Sequence, residues 1–198
     1  LQGETVGSVE ALGKHLLIAL GERWALHVHL AMRGRWRTYA GRAPLPRGAE
    51  GATLLLCTDT STHLCFRGRA ELQRRSRLAL DPRLTRLGQD LLAPQVDMAA
   101  IVRRARAPQR AQRSIGEVLL DQRVACGLGN VYKSELCFLL GLHPFTPASA
   151  VDDETLALDV IDRVARNGSS GAIFIGDSHT FSHFKTALYH PQLADRSR

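Results

Sequence analysis

The sequence of 198 residues has few lysines, few cysteines and no long apolar run. Its four cysteines include no C-x-x-C pair, which argues against a zinc site and, without a secretory leader, predicts reduced thiols rather than disulfides. No apolar stretch approaches the roughly 18 residues that a membrane-spanning helix requires. Together these absences predict a soluble, cytoplasmic protein.

Positive charge is what the sequence has in excess. Lysine and arginine number 26 against 19 aspartates and glutamates, a net charge of +7, and all but three of the basic residues are arginine. A basic surface suits a phosphodiester partner, because its cations displace counterions from nucleic acid. Solubility charge alone would give the same composition, so both interpretations stay open.

The first part of the chain has the pattern of short β-strands joined by tight turns. Strand-like runs occupy residues 4–9, 15–20, 24–32, 35–39, 53–58 and 62–66. The run 24–32 alternates, with apolar residues on one face and His27 and His29 on the other. Cys57 and Cys65 fall in such runs, which predicts that both are core residues. The pattern favours an antiparallel sandwich or barrel.

The pattern becomes helical beyond Pro94. Residues 97–106 place apolar side chains on one side of a helix and arginines on the other, and residues 152–167 have the pattern of a further helix. We therefore predict an α+β chain: a β-sandwich domain over residues 1–94, a helical domain over 95–170 and a tail over 171–198.

The most informative stretch, residues 114–144, has two helical patterns around the run Cys126-Gly127-Leu128-Gly129-Asn130. Ser114 and Glu117 have the spacing of a capping box at the start of the first helix. One face of that helix is predicted to carry Ile115, Val118, Leu119 and Gln122.

Between these helices, the two glycines allow the chain to turn sharply. The amides of Gly129, Asn130 and Val131 would then open the second helix, where free N–H groups and the helix dipole favour a phosphate. The same spacing also describes an ordinary αα-hairpin packed into a core.

The run LLDQRVACGLGNVYKSELCFLLGLHP resembles the helix–two-turns–helix signature of the formamidopyrimidine-DNA glycosylase/endonuclease VIII family. The chain also resembles other parts of the family pattern, in the runs LQGETVGSVEALGKHLLIAL, HVHLAMRGRW and LTRLGQDLLAP. The resemblance therefore covers roughly residues 1–170. It implies a β-sandwich followed by a helix–two-turns–helix DNA-binding domain.

This resemblance implies a DNA-repair enzyme nearer the endonuclease VIII branch. Such an enzyme is a bifunctional DNA glycosylase and abasic-site lyase, which excises oxidised bases and then cleaves the abasic strand. The partner would be damaged double-stranded DNA, and the protein a bacterial, cytoplasmic monomer that works at the nucleoid.

Lys14 is the catalytic candidate that the resemblance indicates. The matching lysine of the family contacts the phosphate near the lesion and is linked to β-elimination, where a cation stabilises the phosphate leaving group. A lone lysine beside Gly13 in a hairpin is, by itself, more often a solvated charge.

The DNA-binding candidates fall in two places. At the turn after the third strand, the resemblance makes Met32 an apolar wedge that fills the gap left by an everted nucleotide, although a lone methionine is usually core filler. Arg33 and Arg35 would lie near the phosphates. His29 would either contact the DNA backbone or serve a structural role.

At the glycine-rich turn, the resemblance makes Asn130, with Gly129, a ligand of the phosphate that flanks the lesion. The run 167–171 resembles the family loop that closes over the everted base.

Two departures from the family pattern shape these expectations. The family's nucleophile is the amine of an N-terminal proline, whereas Leu1-Gln2-Gly3 matches an internal stretch of the pattern. We therefore expect an N-terminally truncated sandwich and no covalent intermediate. A non-catalytic binder of damaged or bent DNA is the alternative function.

The second departure concerns the structural zinc that family members carry in a C-terminal hairpin. No cysteine follows Gly171, and His179, His183 and His190 lack thiol or acidic partners at fixed spacing. We therefore expect no metal or other cofactor in this chain.

Overall fold

The computed structural model describes residues 1–41, 44–153 and 155–156. The described residues divide into two compact units, which are residues 1–81 and 82–156. Each unit has its own hydrophobic core. The chain therefore has the predicted α+β organisation, with strands first and helices second.

The first unit contains a four-stranded antiparallel sheet in the order β1-β2-β3-β7. Its strands are β1 (Val6–Leu12), β2 (His15–Leu20), β3 (Trp24–His29) and β7 (Arg69–Arg74). Leu16 pairs with Val28 between β2 and β3, and His29 pairs with Arg69 between β3 and β7. Strand β7 lies beyond the last strand-like run that the sequence predicts, residues 62–66.

A second antiparallel sheet has the order β4-β6-β5. Its strands are β4 (Arg35–Ala40), β5 (Leu54–Cys57) and β6 (Ser61–Phe66). Alternate side chains of both sheets meet in one core, which includes the fully buried Leu16, Ile18, Val28 and Cys65. The two sheets thus form the predicted sandwich.

The side chain of His63 lies in this sandwich and is fully buried. Its Nδ1 is 3.1 Å from the hydroxyl of Thr38, and its Nε2 is 2.8 Å from the hydroxyl of Ser61. Burial lowers the pKa of His63 to about 4, so the ring is neutral at pH 7. Hydrogen bonds at both ring nitrogens offset the cost of removing a polar group from water.

The expectation that Cys57 is a core residue is wrong. Strand β5 alternates, with Leu54 and Leu56 facing the core and Leu55 and Cys57 exposed. A β-strand places successive side chains on opposite faces, so the thiol at position 57 must lie opposite Leu54 and Leu56. Cys65 is buried, as predicted, and the four cysteines are free thiols.

After the short helix α1 (Arg75–Leu78), the second unit opens with helix α2 (Pro82–Thr85) and strand β8 (Gln89–Asp90). Strand β8 pairs in parallel with β9 (Ala125–Cys126), and Leu91 is buried in the second core. The boundary accordingly lies before Pro82 rather than near the predicted Pro94. The residues between Pro82 and Pro94 belong to the helical unit because β8 pairs with β9 and Leu91 packs in the second core.

Over the described residues, this unit also contains the helices α3 (Met98–Ala105), α4 (Ile115–Leu120) and α5 (Asn130–Leu139). The capping box is confirmed: the Glu117 amide donates to the Ser114 hydroxyl, and the Ser114 amide donates to the Glu117 carboxylate. Hydrogen bonds from the amide and the hydroxyl of Ser114 to the carboxylate lower the pKa of Glu117. No helix in the described part of the chain is both long and apolar enough to cross a bilayer.

An ion-pair cluster fastens the loop after α4. The buried carboxylate of Asp121 accepts from Arg110, Arg113 and Arg123 at 3.0–3.1 Å. Burial by itself would raise the pKa of Asp121, but the hydrogen bonds from Arg123 and Arg110 prevail and lower it to about 2. Because Arg110 is also buried, loss of the carboxylate would leave a buried charge without its counterion.

We predict that Asp121→Asn destabilises the protein by about 3 kcal/mol at pH 7. The folded-state pKa of Asp121 lies below the unfolded value, so the stability from its carboxylate is present above about pH 4. That stability is lost as the pH falls through about 2, and the variant should lack this component. Urea unfolding at pH 2–7 measures the effect.

The matched control is Asp153→Asn, because Asp153 also pairs with an arginine but its side chain is 67% exposed. Exposed pairs contribute about 1 kcal/mol or less. Equal losses in the two variants would contradict a special role for Asp121.

Candidate nucleic-acid interface

Lys14 lies at the tip of the tight turn between β1 and β2. Leu12 and His15 pair across this turn, so its loop contains two residues, Gly13 and Lys14. Gly13 has φ +54°, a left-handed conformation that residues with a side chain rarely adopt. The glycine therefore permits the close turn that presents the half-buried Lys14.

Met32 lies at the tip of the turn between β3 and β4, with 92% of its surface exposed. The amide of Gly34 donates to the Leu30 carbonyl at 2.8 Å, and a Cβ on residue 34 would clash with that oxygen. The amide of Ala31 donates to Nδ1 of His29 at 3.1 Å. These bonds fix the turn while its apolar tip remains in solvent.

The register of the first sheet brings these two turns together. Because Leu16 pairs with Val28, the same antiparallel ladder places Lys14 across from Leu30. The rings of His15 and His29 lie with centroids 4.8 Å apart, which is consistent with this alignment. The lysine turn and the methionine turn are therefore neighbours at one end of the sandwich.

A third turn, between β6 and β7, lies at the same end. A Cβ on Gly68 would be 3.3 Å from both the His29 carbonyl and a Leu30 methyl group, so this turn packs against the start of the methionine turn. It carries the exposed Arg67 and Arg69. We define the basic end as these side chains: Lys14, His29, Met32, Arg33, Arg35, Arg67 and Arg69.

Arg67 and Arg69 were not identified from the sequence. The signal that could have found them is Arg67-Gly68-Arg69 between two strand-like runs, since a hairpin turn there presents both arginines. Arg69 lies 4.0 Å from Glu71, but both side chains are exposed, so this pair neutralises little of the field.

His29 adopts a defined tautomer in this arrangement. Its Nδ1 accepts from Ala31, so the neutral ring carries its proton on Nε2. Next to it, Nδ1 of His15 and Nε2 of the buried His27 are 2.8 Å apart, within hydrogen-bond distance. The three imidazoles form a packed row on the sheet face opposite the sandwich core, which keeps the His29 ring in place beside the turn.

The glycine-rich hinge lies wholly in the second unit. Gly127 has φ +108° and is buried, and Gly129 is the N-cap of α5. No side chain caps this helix. Asn130 is exposed at its first position, so the opening amides and the Asn130 side chain face the same helix end. This arrangement favours an anion, since amide dipoles and the helix dipole both point positive charge outward.

The prediction that Gln122 continues the apolar face of α4 is wrong. Helix α4 ends at Leu120, and the Gln122 side chain instead binds backbone groups of the hinge. Two residues after a helix end, a side chain no longer follows the 3.6-residue period.

Some predictions fall outside the described residues. These are the loop over residues 167–171, most of the helix over 152–167, and His179, His183 and His190. Within residues 1–41, 44–153 and 155–156, no group of three or more histidine, cysteine or acidic residues could hold a metal ion.

The chain matches two family models in succession. Residues 1–80 match the formamidopyrimidine-DNA glycosylase N-terminal domain, and residues 87–171 match the H2TH domain of the same family. Both the β-sandwich and the hinge thus fall in matched regions.

Two curated relatives are 38% identical to the chain. They are the probable endonuclease 8 2 of Streptomyces coelicolor, over 159 residues, and the endonuclease 8 2 of Mycobacterium tuberculosis, over 166 residues. The matches cover 79% and 77% of this chain, but 56% and 59% of those proteins. The chain therefore spans little more than half the length of these relatives.

Solved structures show the same fold at lower sequence identity. A Lactococcus lactis Fpg in complex with DNA that contains an abasic site has a TM-score of 0.73 at 21% identity, over 91% of this chain and 68% of that one. MutM bound to DNA with carbocyclic 8-oxo-G has a TM-score of 0.70 at 21% identity, over 86% of this chain and 65% of that one.

Two consecutive family models, relatives at 38% identity and a common fold all indicate the same family. The chain belongs to the formamidopyrimidine-DNA glycosylase/endonuclease VIII family.

Proposed function

We propose that this chain binds damaged double-stranded DNA in base excision repair, as part of a glycosylase and abasic-site lyase that acts on oxidised bases. The observation that carries the proposal is Met32, an apolar side chain 92% exposed among four arginines and a lysine. Neither core packing nor solubility accounts for that combination. Two relatives bear the names formamidopyrimidine-DNA glycosylase and DNA-(apurinic or apyrimidinic site) lyase Nei2.

The cations of the basic end would bind the phosphates on either side of a lesion. Arg33 and Arg35 are exposed next to the methionine turn, and Arg67 and Arg69 extend the same surface. Such contacts release counterions and supply affinity that does not depend on sequence. His29 would donate from Nε2 to the same backbone, because its Nδ1 is occupied by Ala31.

Met32 would act as the wedge that recognises the lesion. Everting a nucleotide leaves a gap in the stack, and an apolar side chain that fills the gap replaces part of the lost stacking. Hydrogen bonds within the turn already hold Met32 at its exposed tip. Insertion would therefore cost less conformational entropy.

The hinge would hold a phosphate flanking the lesion through Gly129, Asn130 and the following amides. The opening amides of α5 have no side-chain cap, and the Asn130 side chain supplies one further donor. Because these donors read only phosphate, they position the duplex without selecting sequence.

Lys14 would contribute to strand cleavage. After base removal, β-elimination at the abasic sugar expels a phosphate, and a cation beside it stabilises the negative charge that develops. In the family the covalent step uses the amine of an N-terminal proline, a secondary amine that forms a Schiff base with the sugar. The alternative function is a non-catalytic binder of damaged or bent DNA, which would make the same DNA contacts but not cleave the strand. In either form the protein would act as a monomer.

We expect the protein to bind a duplex with an abasic-site analogue at least about tenfold more tightly than the same undamaged duplex. Fluorescence anisotropy measures both affinities, and equal binding would contradict the proposal. Borohydride trapping on abasic DNA then separates the two forms: a covalent adduct identifies the enzyme, and tight binding without an adduct identifies the binder.

We predict that Met32→Ala weakens binding to the abasic duplex about tenfold, which corresponds to about 1.4 kcal/mol, and leaves undamaged duplex binding nearly unchanged. The control is Leu80→Ala, since Leu80 is also apolar and 78% exposed but lies outside the basic end. A wedge role is excluded if Met32→Ala weakens both duplexes to the same extent.

We predict that Asn130→Ala weakens binding about fivefold for every DNA sequence alike, because the lost contact is to phosphate. The slope of log affinity against log salt should change little, since the lost donor is neutral. Ser134→Ala, at an exposed position on the same helix, is the control. A loss confined to some sequences would argue against a phosphate clamp.

A further inference from the structure

We infer that Gln122 is a positioning residue that sets the geometry of the phosphate-binding hinge without touching DNA. The inference rests on the proposed function, in which Gly129, Asn130 and the opening amides of α5 hold a phosphate. Hydrogen bonds of the Gln122 side chain join the end of α4 to the residues just before α5.

One side-chain amide makes all of these bonds. Nε2 of Gln122 donates to the carbonyls of Leu120 and Leu128, each at 3.0 Å, and Oε1 accepts from the Gly127 amide at 3.2 Å. Both N–H donors of the amide are thus used. The opposite orientation would set an oxygen against two carbonyls and a donor against a donor, so the environment specifies one orientation.

The residues that Gln122 binds are those that determine the direction in which α5 begins. Leu120 is the last residue of α4, whereas Gly127 and Leu128 immediately precede Gly129, the N-cap of α5. Gly127 has φ +108°, a conformation that only glycine adopts without strain. The bonds to Gly127 and Leu128 therefore hold the backbone at the place where its direction is least restricted by the chain itself.

The rest of the loop is fastened independently. Asp121 binds the backbone and side chain of Arg123, and Ala125 and Cys126 pair with β8. Gln122 adds hydrogen bonds from the end of α4 to the residues just before α5. Leu128 is buried and anchors the hinge by packing, but packing of one side chain does not specify the direction of the amides that follow.

The test is a double-mutant cycle in DNA binding. Gln122→Met keeps the length of the side chain and removes all three hydrogen bonds, and Gln109→Met at an exposed position of the same unit is the matched control. With the abasic-analogue duplex we expect Gln122→Met to weaken binding about fivefold and the control to change nothing.

The cycle distinguishes positioning from stability. If Gln122 acts through the clamp, Gln122→Met combined with Asn130→Ala should be about fivefold weaker than wild type, not the roughly 25-fold of independent effects. Hydrogen exchange should also show faster exchange at the Gly127 amide in Gln122→Met, with thermal unfolding still cooperative.

Independent effects in the cycle, or unchanged DNA affinity in Gln122→Met, would overturn the inference while the proposed function stands. Failure of the wild-type chain to prefer damaged DNA would overturn the proposed function and the inference with it. If Gln122→Met does not fold cooperatively, Gln122→Glu replaces it, because that variant keeps the acceptor for Gly127. The added negative charge is present both with and without Asn130→Ala, so its effect largely cancels in the coupling energy of the cycle.

Discussion

The antiparallel register of β2, β3 and β7 is the constraint on which the candidate interface depends. With Leu16 opposite Val28 and His29 opposite Arg69, the lysine, methionine and arginine turns meet at one end of the sandwich. The side-chain period of a strand is two, so a slip by one residue would move the imidazole row into the core and the core residues into solvent. Burial of Leu16, Ile18, Leu26 and Val28 therefore determines where the cations of the basic end lie.

The arginines have different surroundings in the two units. In the helical unit, arginines bind internal acceptors: Arg110 pairs with Asp121, Arg104 donates to the Leu87 and Arg123 carbonyls, and Arg106 binds the Ala148 and Val151 carbonyls and Asp153. Each of these planar side chains donates to more than one acceptor and so joins separate loops of the unit. In the sandwich, the arginines of the basic end are exposed in turns or at the starts of the strands that follow them. Net charge alone does not distinguish an arginine with internal acceptors from one that is exposed to a partner. The hydrogen bonds and ion pairs of each side chain make that distinction.

Elements with strong local signals could be predicted from the sequence. The alternation of β3, the capping box of Ser114 and the glycine-rich hinge each depend on neighbouring residues, and their predicted positions agree with the structure. Strand β7 and the early unit boundary depend on pairing with distant partners, β3 and β9, which local patterns do not contain. Gln122 has helical spacing from Leu119, so only the observed end of α4 at Leu120 shows that its side chain binds the hinge.

The residues with a strained backbone lie at the same end of the sandwich as the basic side chains. Among the described residues, the two non-glycine residues with positive φ are Ala31 at +54° and Arg67 at +55°, one in the methionine turn and one in the neighbouring arginine turn. A left-handed conformation costs such residues about 1–2 kcal/mol, and it persists only where surrounding contacts determine it. At Ala31 those contacts are the bond to His29 and the close approach of Gly34 to Leu30. Because folding has already ordered the turn, inserting Met32 into a duplex would not require that ordering again, and less of the binding free energy would be lost to conformational entropy.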